Sequence, residues 1–232
     1  MLTAAHCSQG KTGELYSPKQ RWIVAGDSFP NLEKSKKLIV SKIQVHDAFD
    51  VQKMKTRKNS YIKINQANDI AIWTLKNDVL GIRPAKIAEA SLYAEKRLKD
   101  FPLTIYGFGK ESQWQAPSTM TQLNMAVTKY SPMRNVRYTK TIKERGIRRK
   151  HKYIESVSSY SDSEFFAGGS GLADTCAGDS GGPAFIRDME GNLVLLGLTS
   201  RGTYSCEGGG VYTVVPAFRL WINMAHNTDK HG

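Results

Sequence analysis

Apolar and polar residues alternate along much of the chain, which is the pattern of β-strands with one buried face. Residues 37–45 are rich in β-branched side chains, and residues 69–75 set two isoleucines against Ala71 and Trp73. Segments of similar character, bounded by glycine or proline, follow at 102–109, 193–200 and 210–215. The pattern predicts a chain built mainly from strands.

The last part of the chain has a different periodicity. Pro216 suits the first turn of a helix, where a backbone N–H would have no partner in any case. The apolar residues that follow have the spacing i, i+3, i+4 and i+7, at Phe218, Trp221, Ile222 and Ala225. This spacing predicts one amphipathic C-terminal helix whose apolar stripe lies in the core.

The composition is that of a globular protein. With 232 residues, of which 40% are hydrophobic, the chain can bury a sizeable core as one large domain or two small ones. Its longest apolar run, 193–198, is far too short to span a bilayer, so no membrane span is expected. No signal peptide is visible in this chain.

The net charge of +12 favours acidic partners, anionic surfaces or nucleic acid. The charge is clustered, and the longest cluster, 140–152, contains Arg148, Arg149 and Lys150. No RNA-binding motif or zinc-finger spacing accompanies the clusters, so specific nucleic-acid binding is not predicted. Solvated loops are the simplest interpretation, and polyanion binding stays open as an alternative that rests on charge alone.

Three short segments carry the residues of a nucleophilic site. Ser180 stands in Gly-Asp-Ser-Gly-Gly-Pro, His6 in Leu-Thr-Ala-Ala-His-Cys, and Asp69 in Asn-Asp-Ile-Ala-Ile. A serine hydroxyl needs an imidazole that takes its proton, and the imidazole needs a carboxylate that fixes its tautomer. Glycines permit the sharp turn that lets backbone N–H groups face a developing oxyanion. The three segments therefore predict a catalytic triad.

The order His, Asp, Ser with these flanking residues resembles the trypsin-like serine proteases of the chymotrypsin family. The resemblance extends from Leu2 to about His226. It implies an all-β fold of two packed six-stranded antiparallel β-barrels, the first incomplete at its N-terminus, with a C-terminal α-helix. Residues 1–100 would carry the histidine and the aspartate, residues 101–232 the serine and the specificity pocket, and together they would form one peptidase domain.

The same resemblance implies a serine endopeptidase that works through an acyl-enzyme. Ser180 would attack the scissile carbonyl, His6 would act as general base and then as general acid, and Asp69 would orient the imidazole. The backbone N–H groups of Gly178 and Ser180 would form the oxyanion hole, and Ser200 would support the aspartate. No metal or other cofactor is expected.

The resemblance also assigns a specificity pocket for substrates. Asp174 would lie at its base and select Arg or Lys, because an unpaired charge in a narrow apolar slot is costly. Ser200 would border the pocket. Gly202 and Gly210 would form the pocket wall, where only small residues admit a long side chain.

The cysteines and the start of the chain are interpreted through the resemblance to the family. The resemblance pairs Cys176 with Cys206, with two free thiols as the alternative, and it leaves Cys7 without its usual upstream partner. In the family, Asp179 pairs with an N-terminal amine freed by cleavage. The family residues that precede His6 are missing here, so a fragment or a late start is expected, with Asp179 as a poorly compensated buried charge.

Two basic insertions and one substitution are further departures. The insertions cover residues 50–66 and 133–159; they are interpreted as loops that either decorate the surface or face the substrate. Arg201 follows Ser200, where the family usually has tryptophan. We expect Arg201 either to favour acidic residues shortly before the cut or to pair with Glu207.

The predicted function is cleavage of polypeptides after Arg or Lys by a secreted or periplasmic monomer that protein inhibitors could block. The alternative is a non-catalytic or zymogen-like homologue that acts as a binding module because its activation segment is absent. The intact triad residues argue against evolved inactivity. The chain as it stands is expected to have little activity.

Overall fold

The structure, a computed structural model, describes the chain in ranges separated by gaps. The described residues are 1–10, 13–26, 37–49, 52–55, 62–65, 67–94, 102–110, 121–128, 134–144, 147–157, 161–168, 174–202, 206 and 208–228. Strands dominate them, as the alternating pattern predicts.

The described part of the chain forms fourteen strands, two α-helices and short 3₁₀ turns. The strands are β1 (Leu2–Thr3), β2 (Trp22–Val24), β3 (Lys37–Val45), β4 (Gln52–Lys55), β5 (Ile62–Asn65), β6 (Ala71–Leu75), β7 (Pro102–Gly107), β8 (Thr121–Thr128), β9 (Arg134–Glu144), β10 (Ile147–Val157), β11 (Glu164–Ala167), β12 (Pro183–Arg187), β13 (Leu193–Gly202) and β14 (Gly210–Val214). The helices are α1 (Ala90–Ala94) and α2 (Arg219–Thr228), and the 3₁₀ turns include Ala5–Ser8, Pro18–Gln20 and Val215–Phe218.

Six strands close into a barrel in the order β11–β14–β13–β12–β7–β8. Neighbouring strands of the barrel run antiparallel, as β13 and β14 do where Leu198 faces Thr213. Closure removes the unpaired edges that an open sheet would leave. Apolar side chains that are almost completely buried fill the interior, among them Leu103, Ile105, Phe165, Ile186, Leu196 and Tyr212.

A second sheet has four strands in the order β1–β6–β3–β2. Its buried apolar residues come from the two central strands and from the turn after β1, and they include Val40, Ala71, Trp73 and Ala5. The all-β fold class with a closed six-stranded barrel and a C-terminal helix is confirmed. The division of the chain at about residue 100 stays a prediction.

The C-terminal helix packs between the sheet and the barrel. Phe218 and Ala225 of the predicted stripe are buried. Phe218 belongs to an apolar cluster, and Trp221 and Ile222 pack against that cluster. That cluster also contains Ile70, which precedes β6, and residues of β13. The helix thereby holds the end of the sheet that carries the candidate aspartate against the barrel.

The two basic insertions contain strands, which corrects their interpretation as loops. β4 pairs with β5 inside 50–66, and β9 pairs with β10 inside 133–159. The cations in these segments are interleaved with Val, Ile, Tyr and Thr, which favour strands. Because the segments contain so many charged residues, their interpretation as loops missed the alternation of cations with strand-forming residues.

Candidate active site

The His6 imidazole is held against the Asp69 carboxylate. His6 Nδ1 lies 2.7 Å from Asp69 Oδ2, and the His6 backbone N–H donates to Asp69 Oδ1 over 2.9 Å. Asp69 is completely buried. Because the carboxylate accepts at Nδ1, the imidazole presents its other nitrogen, Nε2, to the rest of the site.

The main chain around His6 forms the 3₁₀ turn Ala5–Ser8. Ala4 and Ala5 have no exposed surface, so only small side chains fit at the base of this turn. The Cys7 N–H closes the turn by donating to Ala4 O over 3.2 Å. Ala5 packs against Val40, Ala71 and Trp73, which anchors the turn that carries His6 on the four-stranded sheet.

A tight backbone turn positions Asp69. Asn68 has a φ of 58°, in the left-handed region that asparagine tolerates better than most residues. Its side-chain amide donates to Ala48 O over 2.9 Å, and the Ile70 N–H donates to Asn68 O over 2.8 Å. The Asn-Asp dipeptide therefore supplies both the turn and the carboxylate that follows it.

Two hydroxyl groups of the barrel also bind Asp69. Ser200 Oγ donates to Asp69 Oδ2 over 2.6 Å, and Thr213 Oγ1 donates to the Asp69 carbonyl over 3.0 Å. Ser200 lies where the register of β13 against β14 shifts, between Thr199 and Arg201, and such a bulge redirects a side chain. Thr213 was not predicted, because a threonine inside a strand carries no distinguishing signal.

The surroundings of His6 change its protonation. Burial opposes the charged imidazolium, but hydrogen bonds and charge from Asp69 and Cys7 outweigh burial and raise the pKa of His6 to about 10. Cys7 contributes because its Sγ lies 3.6 Å from Nε2, the nitrogen that would accept a proton from a nucleophile. Cys7 is a free thiol, and this contact was not predicted.

Ser180 is exposed and lies on a loop beside the His6 turn. The next residue, Gly181, has a φ of 75°, and a methyl group there would lie 3.4 Å from Cys7 Sγ and collide with Thr3 Oγ1. Among the residues that the structure describes, Ser180 Oγ makes no hydrogen bond. The fold thus brings the serine loop to the histidine turn without joining the two side chains, and catalytic hydrogen bonds are often long before substrate binds.

The backbone N–H groups around Ser180 alternate between bonded and unbonded. The Asp179 N–H donates to a carbonyl over 3.1 Å, and the Gly181 N–H does so over 2.8 Å. In the described part of the chain, the N–H groups of Gly178 and Ser180 have no such acceptor. Gly178 has a φ of 107°, which only glycine adopts readily. The two donors expected in the oxyanion hole are therefore available to a ligand.

Asp179 is buried, but main-chain donors satisfy its carboxylate. Oδ1 accepts from the Gly109 N–H over 2.8 Å, and Oδ2 accepts from the Cys176 N–H over 2.9 Å. Gly107 and Gly109 make room for the carboxylate, because a methyl group at either would collide with it. The expectation of a poorly compensated charge is wrong, since two N–H groups compensate it.

Asp174 lies beside the glycines predicted for the pocket wall. Its Oδ1 accepts from the Thr175 N–H over 2.7 Å, and its Oδ2 accepts from the Gly209 N–H. Gly210, the next residue, is paired with Gly202 across β14 and β13. The structure therefore brings the aspartate and both glycines to one place.

The Asp174 carboxylate is held by dipoles and not by a cation. Burial raises the pKa of Asp174 to about 6, although the N–H groups of Gly209 and Thr175 oppose the rise. Within the described residues, none of the ion pairs includes Asp174. Without a cationic partner, burial makes the charged form of this carboxylate costly.

A disulfide joins the loop that carries Asp174 and Ser180 to the segment before β14. Cys176 and Cys206 are bonded, with their Cα atoms 5.0 Å apart. This confirms the predicted pairing and excludes two free thiols. A cross-link across a closed loop of this size stabilises the fold by about 3–4 kcal/mol in the chain-entropy view.

Comparison with known proteins agrees with this geometry. The family model described as Trypsin matches residues 1–222. The chain belongs to the trypsin family. Its relatives include the Spaetzle-processing enzyme of Drosophila melanogaster, 29% identical over 170 residues that cover 69% of this chain and 38% of that protein.

Two more members of the trypsin family show how the similarity is distributed. Trypsin of Phaedon cochleariae is 52% identical over 58 residues, which cover 24% of this chain and 20% of that protein. Serine protease 56 of Mus musculus is 27% identical over 226 residues, which cover 96% of this chain and 32% of that protein. The matches span less than half the length of each of these curated relatives.

Arg201, a departure from the usual trypsin-family residue, is engaged by an acid of the barrel. Its Nη1 donates to Glu164 Oε1 over 2.6 Å, and its Nη2 donates to Glu164 Oε2 over 3.1 Å. The side chains are only 10% and 0% exposed, so this bidentate pair neutralises the charge of Arg201 within the fold. The expectation that Arg201 favours acidic substrate residues loses its basis; Glu207 lies outside the described residues.

The described residues were also searched for a metal site, a membrane-spanning helix and further reactive side chains. They contain no group of three or more His, Cys, Asp or Glu side chains arranged to hold a metal ion. No helix among them is long and apolar enough to cross a membrane. Among the described residues, the reactive side chains in direct contact are the Asp69 carboxylate, the His6 imidazole and the Cys7 thiol.

Proposed function

We propose that this trypsin-family chain is the catalytic part of a serine endopeptidase that cleaves polypeptides after Arg or Lys. The observation that carries the proposal is the buried Asp69, which holds the His6 imidazole through Nδ1 at 2.7 Å and so leaves Nε2 as the nitrogen that can accept a proton. The disulfide between Cys176 and Cys206 supports an extracellular or periplasmic location. Action as a monomer and control by protein inhibitors are part of the same proposal.

The proposed reaction has two steps that share one histidine. Ser180 Oγ attacks the scissile carbonyl while His6 Nε2 takes the hydroxyl proton, and the N–H groups of Gly178 and Ser180 donate to the oxyanion. The C–N bond breaks as His6 returns the proton to the leaving amine, which leaves an acyl-enzyme. Water then attacks the ester with the same base, and Ser180 is released.

The proposed specificity follows from the unpaired carboxylate of Asp174. A substrate Arg or Lys supplies the missing cation, while a neutral side chain would leave a partly buried charge without a partner. Gly202 and Gly210 leave the space that a long side chain needs. The preference therefore depends on charge at the pocket base and on the absence of side chains at its wall.

The proposal is tested with matched Arg, Phe and Ala amide substrates. We expect cleavage of the Arg substrate, and Ser180→Ala should lower kcat by about 10⁵-fold or more, because the nucleophile is lost. The exposed Ser17 gives a matched control, since Ser17→Ala leaves the site intact. Preference for Phe would contradict the pocket assignment, and substantial activity of Ser180→Ala would contradict the nucleophile.

One contact favours a second candidate, a non-catalytic homologue that binds polypeptides without cleaving them. His6 Nε2 contacts Cys7 Sγ at 3.6 Å, and Ser180 Oγ makes no hydrogen bond among the described residues. A fluorophosphonate probe separates the two functions, because it labels only an activated serine. Labelling that Ser180→Ala abolishes supports the protease, whereas no labelling of this chain or of a version extended upstream supports the binding module.

A further inference from the structure

Strand β13 contains one residue more than its partner strand at the point where it meets the candidate triad. In the register of β13 against β14, Thr199 and Arg201 face consecutive residues of β14, although Ser200 lies between them. Ser200 is therefore the extra residue of a β-bulge. Its hydroxyl donates to Asp69 Oδ2 over 2.6 Å. The bulge thus carries one of the groups that hold the aspartate.

The bulge also decides which face of the barrel receives Arg201. Arg201 is paired with Val211, and paired residues share a face. The next residue of β14, Tyr212, belongs to the apolar cluster inside the barrel, so Val211 and Arg201 lie on the outer face. In a regular register without the bulge, Arg201 would lie on the same face as Tyr212. Its guanidinium would then point into an apolar interior, where an ion is costly.

Glu164 of β11 is the acid that receives Arg201 on the outer face. The guanidinium donates to both of its carboxylate oxygens, over 2.6 and 3.1 Å. The Glu164 side chain is completely buried, and that of Arg201 is 10% exposed. Glu164 is paired with Thr213, whose hydroxyl donates to the Asp69 carbonyl. The ion pair therefore crosses β14, from the neighbour of Ser200 to the residue opposite Thr213.

We propose that the ion pair of Arg201 and Glu164 is a positioning element for the triad, because it fixes the bulge from which Ser200 holds Asp69. Two N–H donors must meet two carboxylate oxygens, and this fork defines one place for the guanidinium. A register without the bulge would put Arg201 and Glu164 on opposite faces and separate two charges that are costly to bury apart. The inference rests on the proposed function, since it concerns the same triad.

The alternative is that the ion pair only stabilises the barrel. Removing one partner of a buried pair is strongly destabilising, because the other charge is then buried without compensation. Replacing both partners by uncharged residues of similar size is often neutral or even stabilising. A variant without either charge therefore separates loss of positioning from loss of stability.

The first experiment compares Glu164→Gln/Arg201→Met with the wild type. This double variant should unfold at about the wild-type temperature. For a small arginine ester, kcat should fall by about tenfold with little change in KM, because Asp69 loses the hydroxyl that holds it while ester binding is untouched. Arg201→Lys keeps a cation for Glu164 and should retain most of the wild-type kcat. Wild-type kcat in the double variant would overturn the proposal.

A double-mutant cycle tests whether the ion pair acts through Ser200. Ser200→Ala alone should lower kcat by about tenfold. Adding Glu164→Gln/Arg201→Met to it should cost less than about a further twofold, since the hydroxyl that the pair positions is already gone. Losses that multiply would overturn the proposal. Arg219→Met is the matched control, because it removes the ion pair with Glu89 at the C-terminal helix and should leave kcat unchanged.

An NMR titration of His6, assigned with His6→Gln, separates this inference from the proposed function because it needs no activity. Ser200→Ala and Glu164→Gln/Arg201→Met should both shift the pKa of His6 by about 0.5 or more and in the same direction, since both act on the carboxylate beside it. Arg219→Met should leave it unchanged. A wild-type pKa in the double variant would overturn the positioning role. Shifted values in a chain that hydrolyses no ester would contradict the protease and support the positioning role.

Discussion

Two aspartates at the candidate site, the completely buried Asp69 and the half-buried Asp174, are satisfied in opposite ways. Asp69 accepts hydrogen bonds from an imidazole, a serine hydroxyl and a main-chain N–H. In the described part of the chain, Asp174 accepts from the main-chain N–H groups of Thr175 and Gly209 and from the Thr175 side chain, and it has no cationic partner. The first has a titratable partner inside the protein, and the second has none among the described residues.

The difference appears in which group changes its pKa. Beside Asp69, the pKa of His6 is raised to about 10 even though burial opposes the rise. The Asp69 carboxylate therefore stabilises a positive charge on His6 within the protein. At Asp174, burial raises the pKa of the carboxyl itself to about 6. In the proposed function, the carboxylate that is matched inside the fold orients the general base, and the one that dipoles alone support accepts a charge from the substrate.

Asp69→Asn should have the largest effect on activity, because it removes the carboxylate that pairs with His6. The amide keeps the size of the carboxylate, but it cannot stabilise the imidazolium or enforce the tautomer that presents Nε2 as a base. We expect kcat to fall by about 10⁴-fold, the size of loss that this change produces in serine proteases with the same triad. Hydrolysis of an arginine amide measures it, and a loss below about tenfold would mean that Asp69 does not orient His6.

Asp174→Asn should leave catalysis intact and remove the preference for cations. An amide at the pocket base no longer offers a charge, so the ratio of kcat/KM for Arg over Phe substrates should fall by about 100-fold. Asp78→Asn is the matched control, because Asp78 is exposed and lies in the loop after β6. An unchanged ratio for Asp174→Asn would place the specificity elsewhere.

The pKa of Asp174 adds a dependence of this selectivity on pH. Because its pKa in the folded chain is raised to about 6, the carboxyl gains a proton as the pH falls through that value. Preference for Arg over Phe in kcat/KM should therefore decline below about pH 6, well above the ordinary pKa of an aspartate. Constant selectivity down to pH 4.5 would show that Asp174 stays charged.

Short motifs made one part of the site predictable, and folding in three dimensions decided the rest. His6, Asp69, Ser180 and Asp174 lie in segments whose residue types and spacing are specific, so the sequence was enough to predict them as site residues. Thr213 binds the Asp69 carbonyl only because β14 and the sheet meet there. No sequence pattern encodes such a meeting of distant strands.

The contacts of charged residues were less predictable than the motifs. Arg201 pairs with Glu164, which lies 37 positions away and carries no signal of its own. The register of β11 against β14 and of β14 against β13 brings the two together. Asp179 was expected to need an amine, but the glycines of the neighbouring strand end let main-chain N–H groups reach it.

Cys7→Ala tests whether the Cys7 thiol raises the pKa of His6. The contact of Cys7 Sγ with Nε2 raises the pKa of His6, so its removal should move that pKa down from about 10 towards the ordinary 6.5. The base must be neutral to accept a proton. Activity at neutral pH should therefore increase by about tenfold for each unit of decrease. An NMR titration of His6 and the acidic limb of kcat/KM measure it, and identical limbs would contradict the coupling.

Thr213→Val makes the smallest change, because it alters only how the main chain of Asp69 is held. Valine has nearly the same shape as threonine but leaves the Asp69 carbonyl without the hydroxyl donor that lies 3.0 Å away. Loss of one buried hydrogen bond should lower the free energy of unfolding by about 1 kcal/mol. The Asp69 carboxylate keeps its bonds to His6 and Ser200, so kcat should fall by less than about tenfold. Thr213→Ser retains the hydroxyl and should restore the kcat, whereas a Thr213→Val variant with unchanged stability and kcat would show that the strand pairing of the barrel positions Asp69 without this bond.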